Sequence, residues 1–438
     1  MTIENKGKLS RRAMLKGTLA ASAAVAGSTF PLVNIARAES RTIKIGLIQA
    51  YSGVRAPFAE PDAYVLAKIQ ALVKDGLKAG KATYAVEITK QDNQSSIAGT
   101  APVANNMIMR QNVDLLLCAD GEAGIASGEL ADTNGTPTIS TMSPWEGWFR
   151  ARKGDPAVGF PWTFHFMWGA RDISKNFLGM WEQHKGVLAN NNAGTIYFDN
   201  ATGHAFGDPQ RGLPAALAAA GYKEIAGGFF KPETDDFSNQ ISMFKGASCP
   251  IASGFVLPAH WQIFWTQAAQ AGFKPEICSI AGAFLFPSAI DSLGGRGDGM
   301  STEVWWTPNF PFHSTLTGQS AKELAADFEK ETGKQWTQPL GMLHALWDVG
   351  LGALQSVDDP RDRAAVRDAI KNMNRETVVG PINWKDAPVK SVATTPLLGG
   401  QWRKTSGGKF KHDLKIVYNG TAPNIPVEDK LQLLSKLG

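Results

Sequence analysis

The chain has 438 residues, 43% hydrophobic and 19% charged, with 13 tryptophans and a formal net charge of +4. That length is too great for one small core and fits two or three domains of ordinary size, and the composition excludes a low-complexity or disordered chain. No stretch of the body approaches the ~20 uninterrupted apolar residues of a membrane span, so a membrane-embedded protein is not expected.

At the N-terminus, SRRAMLKG (Ser10–Gly17) sets two arginines ahead of a weakly apolar run, TLAASAAVAGSTF, and ARA (Ala36–Ala38) offers small residues for cleavage. That order predicts a signal peptide over residues 1–38, cleaved after Ala38, and Arg11-Arg12 with Leu15 and Lys16 resembles a twin-arginine export signal. The alternatives are a disordered basic tail or a membrane anchor. No cysteine lies near the cleavage point, which argues against a lipoprotein. Residues 1–38 carry six Lys/Arg and one acid, Glu4; removing them from 44 and 40 leaves 38 against 39, a net of −1. The basic balance therefore belongs to the export signal, and nothing in the mature chain suggests nucleic acid or an anionic membrane as partner. The expected compartment is the periplasm. Cys118, Cys249 and Cys278 are odd in number, so at least one thiol is unpaired, while Cys249 and Cys278 read equally as a disulfide or as buried thiols. The histidines are scattered, so neither a metal nor another cofactor is expected.

From Thr42 strand-like and helix-like runs alternate. TIKIGLIQA reads as a strand ending at YSG, and Val65, Ile69, Leu72 and Val73 recur at helical spacing. TYAVEITKQD is a second strand, followed by a helix around Ala101–Arg110; VDLLLCA is wholly apolar, as expected of a strand buried on both faces. A helix over Glu122–Asp132 leads to the strand TPTIS and to ISTMSPWEGWF (Ile139–Phe149), where Pro144 and Gly147 argue against an ordinary helix or strand. The alternation then restarts: GTIYFDN, EIAGGFF, GFVLPA and EICSIAG as strands, with helices QRGLPAALAAAGY, FSNQISMFKG and WQIFWTQAAQAG between them. A helical pair follows, and the tail from Val378 reads as short strands and turns. Two tandem βαβαβ series predict two doubly wound parallel-sheet lobes of the α/β class. Ligands of such sheets sit beyond the carboxyl ends of the strands, so AYSGVRAPF, ADGEAG, STMSPW, DNATGHAFG, PAHW and AGAFLF are the candidate site segments.

Several of these segments carry a family likeness. IKIGLIQAYSG, TDDFSNQISMFK, the late helices around Trp347-Asp348, and VVGPINW together resemble the Leu/Ile/Val-binding-type periplasmic receptors of ABC transporters, over about Thr42 to Trp402. The resemblance implies the type I periplasmic binding fold with a three-segment hinge: lobe 1 from 39–166 and 305–375, lobe 2 from 167–304 and 376–438. It implies a monomeric receptor that closes on a small-molecule ligand and delivers it to the permease subunits of an ABC importer, with no catalysis. Carried over residue by residue, it points to Phe58, to Asp120, Gly121 and Glu122, and to Ser140, Thr141, Met142 and Ser143 in lobe 1, and to Phe206 and Trp261 in lobe 2. The family's acidic partner for a ligand ammonium should fall in IAGAFLF, which contains no acid. A buried ammonium without a counter-charge costs several kcal/mol, so this departure disfavours an α-amino acid unless Asp120 or Glu122 substitutes.

Each candidate has a structural alternative. Trp145 and Trp148 read as a stacking wall for a flat ligand or as a plug of the lobe surface; Trp261 and Trp265, four apart on one helix, read as a ligand contact or as core. Trp305-Trp306 is expected at the hinge, one side chain in and one out. Ser140 and Thr141 could cap the turn that follows. The glycine-rich GGRGDGM does not lie between a strand and a helix and reads as a loop rather than a phosphate cradle. No G-x-S-x-G, H-E-x-x-H or Walker loop is present, which leaves a hydrolase of dispersed residues as a remote alternative. The expected ligand is an aromatic or hydrophobic carboxylate, with an amino acid or short amide as the second class, and a sensing subunit as the alternative to a transport receptor.

Overall fold

The computed structural model describes residues 41–437; the expected signal peptide lies outside them. The first six strands are β1 (Thr42–Gln49), β2 (Leu77–Ala79), β3 (Ala82–Asp92), β4 (Leu115–Cys118), β5 (Thr138–Ser140) and β6 (Thr163–Phe166). The next five are β7 (Asn192–Phe198), β8 (Lys223–Phe230), β9 (Ile251–Phe255), β10 (Ile277–Ala281) and β11 (Ser301–Val304). The tail adds a hairpin, β12 (Asn374–Thr377) and β13 (Gly380–Asn383), then β14 (Val392–Ala393), β15 (Leu398–Lys404) and β16 (His412–Tyr418).

Fourteen of these strands form two seven-stranded sheets, ordered β14-β6-β5-β4-β1-β3-β2 and β16-β15-β11-β10-β9-β7-β8, and the β12–β13 hairpin stands apart. The first is parallel apart from the β2–β3 hairpin, and the second is parallel from β8 to β11 with β15 and β16 added antiparallel. β4, β9 and β10 are buried throughout, because helices cover both faces. The longest described helix, Gln338–Gln355, packs on β4 and β5 and is buried except at Gln355, its few polar side chains being partnered, as Asp348 is by Arg375 and Ser314. Gly350 lets it approach closely: a Cβ there would sit 3.1 Å from Leu117 Cδ2.

Three connections join the lobes: between β6 and the helix Ala170–Glu182, after β11, and between β14 and β15. The expected third crossing at 375–376 is corrected. β14 hydrogen-bonds to the edge of β6, the β12–β13 hairpin packs on the Gln338–Gln355 helix, and Trp384 Nε1 donates to His165 O at 2.9 Å. Residues 376–393 thus stay with lobe 1, and the chain crosses only between Ala393 and Leu398.

Candidate functional site

In each sheet the first strand lies inside, flanked by its successors: β3 and β4 beside β1, β8 and β9 beside β7. Loops leaving such strands part in opposite directions and open a crevice at the carboxyl ends. In lobe 1 the residues converging there are charged and polar. Arg55, in the turn after β1, is buried, and its Nε donates to Asp120 Oδ1 at the exit of β4. Asp120 Oδ2 accepts from Asn93 Nδ2 (2.9 Å) and from the Glu122 amide (3.0 Å), so both carboxylate oxygens are engaged. Arg55 Nη2 lies 3.4 Å from Met142 O, and the guanidinium lies over the Phe58 ring at 4.6 Å. The remaining N–H groups of that fork have no protein partner among the described residues. Two buried polar atoms of the same rim are also unpartnered, Gln49 Nε2 at the end of β1 and Ser143 Oγ after β5.

The lobes meet along a seam lined by aromatic rings. Phe58 stands edge-on to Phe286 of lobe 2 (5.1 Å) and tilted against Trp305 (5.9 Å), which in turn meets Trp168 at 5.5 Å. All four rings are buried; among the described residues the Trp168 indole N–H has no partner, and that of Trp305 lies beside the Glu303 carboxylate without a hydrogen bond of good geometry. Glu122 reaches across to Asn200 Nδ2 at the exit of β7 (3.2 Å), and burial raises its pKa above the ordinary carboxylate range. Further along, Glu146 Oε2 accepts from the Ala170 amide (2.7 Å) and Arg150 pairs with Asp208 (2.8 Å).

The expected residues divide. Phe58, Asp120, Gly121, Glu122, Met142 and Ser143 gather at the lobe 1 rim; at Gly121 a Cβ would lie 2.7 Å from Ser143 Cβ, so only glycine permits that approach. Ser140 and Thr141 turn inward instead. The Nε2–H of His165 donates to Ser143 O (2.8 Å), so its Nδ1 is the acceptor and takes the Ser140 hydroxyl (2.8 Å), while Thr141 Oγ1 donates to Phe166 O (2.8 Å). Both hydroxyls are consumed by β6. The segment Ile139–Phe149 was expected to be irregular, but Trp145–Ala151 is a short helix: Pro144 stands just before its first residue, where a missing N–H costs nothing. Trp148 on that helix is core, stacked on His165 with Nε1 donating to Gly124 O. Trp145 is half-buried against Phe149, its backbone N–H on Trp168 O.

In lobe 2, Phe206 packs edge-on against Phe177 and Tyr197 and is a core residue, because its helix rests on β7. Trp261 is buried in a stack with Phe264 and Trp265, edge-on to Phe284. Trp305 and Trp306 are both buried, Trp305 in the seam and Trp306 against Trp336 and Gly341, so neither points out. Cys118, Cys249 and Cys278 are buried free thiols, which leaves the disulfide aside.

Sequence reasoning missed two charged groups. Arg55 stood in a quoted strand exit and its charge was the available signal. Glu303 gave none, because it comes from the strand next to the loop where an acid was expected. It is 1% exposed, its Oε1 accepts from the Gly282 amide (3.0 Å) and its Oε2 from Thr302 Oγ1 (2.8 Å), and among the described residues no cation is in reach. IAGAFLF itself holds no acid, and the carboxylate that reaches its Gly282 comes from the adjacent strand β11.

Residues 42–409 match the family model described as periplasmic binding protein. The fold is shared with a solute-binding protein of an ABC transporter from Rhodopseudomonas palustris in complex with 3,4-dihydroxybenzoic acid (TM-score 0.68, 18% identity, 88% of this chain and 99% of that one). A second solute-binding protein from R. palustris, in complex with 4-hydroxybenzoate, has a TM-score of 0.67 at 16% identity over 86% and 96% of the two chains. The leucine-binding protein LivK of Thermotoga maritima gives 0.67 at 17% over 86% and 99%. At such identities the likeness is one of fold. No curated protein matches the chain significantly.

Proposed function

Because this chain belongs to the periplasmic binding protein family, we propose that it is the receptor of an ABC importer, binding an aromatic carboxylate between its lobes and presenting it to the permease subunits. One observation carries the ligand class: Arg55 is a buried guanidinium with unspent N–H groups, lying over Phe58 at the aromatic seam. A carboxylate complements the guanidinium fork in shape and charge, and a flat ring suits walls made by Phe58, Phe286, Trp168 and Trp305. Asp120 holds Arg55 in place and is not free to receive an ammonium. Ser143 Oγ and Gln49 Nε2 supply unspent polar atoms on the same rim. Export through the twin-arginine route with cleavage after Ala38 belongs to the same proposal. Closing the lobes removes water from both rims, so binding and closure are one event and involve no covalent step.

The test is a ligand panel on the mature protein, stripped by unfolding and refolding: benzoate, hydroxybenzoates, phenylalanine and leucine, followed by calorimetry and melting. An aromatic acid at 100 times its Kd should add about 2.7 kcal/mol of stability. Arg55→Met should weaken it by about 100-fold or more, as expected when a buried charge partner is removed. Stabilisation by leucine with none by the aromatic acids would replace this reading with an amino-acid receptor, which Glu303 favours as the second class.

A further inference from the structure

Glu303 is hard to account for as part of the fold. It is the last residue but one of β11, at the side where the lobes meet, it is 1% exposed, and among the described residues no lysine, arginine or histidine pairs with it. The Gly282 amide donates to one of its oxygens and the Thr302 hydroxyl to the other, and the Trp305 indole stands beside the carboxylate as a third donor, so its four lone pairs are not all spent. An ionisable group held so deep without a cation is costly, and an apolar side chain would fill the same space without that cost. Its surroundings tie it to the seam. Gly282 opens the loop that carries Phe286 to Phe58, and Trp305, two residues on and so on the same side of the chain, meets both Phe58 and Trp168. Among the described residues the indole N–H of Trp168 is a buried donor without a partner, and that of Trp305 lies beside the Glu303 carboxylate without a hydrogen bond of good geometry. Beside the rings there are thus an acceptor with spare capacity and, at Trp168, a donor without an acceptor, a complement that one hydroxyl group satisfies, since it both donates and accepts.

We propose that Glu303 is a specificity-determining residue that accepts a hydrogen bond from a hydroxyl carried by the ligand's ring, with its carboxylate held at Arg55. This rests on the carboxylate-receptor reading and adds to it: Arg55 selects the acid end and Glu303 the hydroxylated end. Lobe 1 then contributes the charge that recognises the class, and lobe 2 the group that chooses within it.

The experiment measures Kd by calorimetry for benzoate, 3-hydroxybenzoate, 4-hydroxybenzoate and phenylalanine, on wild type, Glu303→Leu and Glu303→Gln. Wild type should prefer a hydroxylated acid over benzoate by about 10- to 100-fold, the worth of a hydrogen bond to a charged acceptor. Glu303→Leu should erase that preference while benzoate moves less than about threefold, and Glu303→Gln, which still accepts a hydrogen bond, should keep part of it. A purely structural Glu303 would weaken all the acids together, and that outcome overturns the proposal, as does a wild type that binds benzoate and the hydroxybenzoates equally. Selective loss of phenylalanine in the Leu variant would overturn the hydroxyl assignment in favour of an amine. Failure of wild type to bind any aromatic acid would instead overturn the carboxylate reading itself, so the two failures are distinct.

Discussion

Ser140 and His165 fix one another at the residue scale. The imidazole is fully buried, donates from Nε2 to Ser143 O and accepts the Ser140 hydroxyl at Nδ1. Ser140→Ala leaves that nitrogen without a donor in a dry site, at a cost of about 1–3 kcal/mol in stability. Because the hydroxyl is spent inside lobe 1, ligand affinity should move less than about twofold, and melting with calorimetry on one variant checks both statements. The same residue shows what a sequence conceals. A serine at a strand exit reads as a ligand group, but which way its hydroxyl turns depends on a histidine of the neighbouring strand, and nothing local records that pairing. Arg55 is the reverse case. Its charge in the turn after β1 was visible, while its value comes from Asp120, which lies far along the chain and meets it only because β1 and β4 are adjacent.

Among the elements, the Trp145–Ala151 helix braces the lobes at two depths. Near the hinge, Glu146 caps the first turn of the helix Ala170–Glu182 by accepting the Ala170 amide, and it is buried. Glu146→Ala should therefore orphan that amide and destabilise the protein by about 1–3 kcal/mol, whereas Glu146→Gln keeps an acceptor and should lose less, an order that melting curves resolve. Farther out, Arg150–Asp208 is partly exposed, and a pair of that kind contributes under about 1 kcal/mol, so Asp208→Asn serves as the mild control. The strands were legible wherever an apolar run had no competing period, as in LLLC and ICSIA. This helix was not, because Pro144 and Gly147 read as breakers until the first sits outside the helix and the second is seen to lie 3.1 Å, by its absent Cβ, from Ala201 O. The third crossing was misplaced for a similar reason: β14 is two residues long and exists only through its pairing with β6.

Over the whole molecule, buried titratable groups set how stability follows pH, and they oppose one another. Burial holds His165 and His344 at about 4, below their ordinary 6.5, so the folded state resists protons that the unfolded chain accepts. Their contribution is intact above pH 6.5 and is lost as pH falls to about 4. Burial lifts Glu303 to about 7 from its ordinary 4.5, so the folded state prefers it protonated, and its contribution turns unfavourable as pH rises through that interval. The windows overlap, and the wild-type curve should be flatter than either group alone would give. Relative to wild type, Glu303→Gln should gain nothing near pH 4.5 and gain progressively up to pH 7, approaching about 3 kcal/mol, the equivalent of the full shift. His165→Gln should show the mirror image on top of a constant loss of packing and hydrogen bonds, its relative gain appearing below pH 6.5 and completing near 4. Ligand-free denaturation across pH 4–8 reads both. A Glu303→Gln curve parallel to wild type would mean that the carboxylate is already paired in the folded protein, and the reading of Glu303 as an acceptor held ready for a ligand would fall with it.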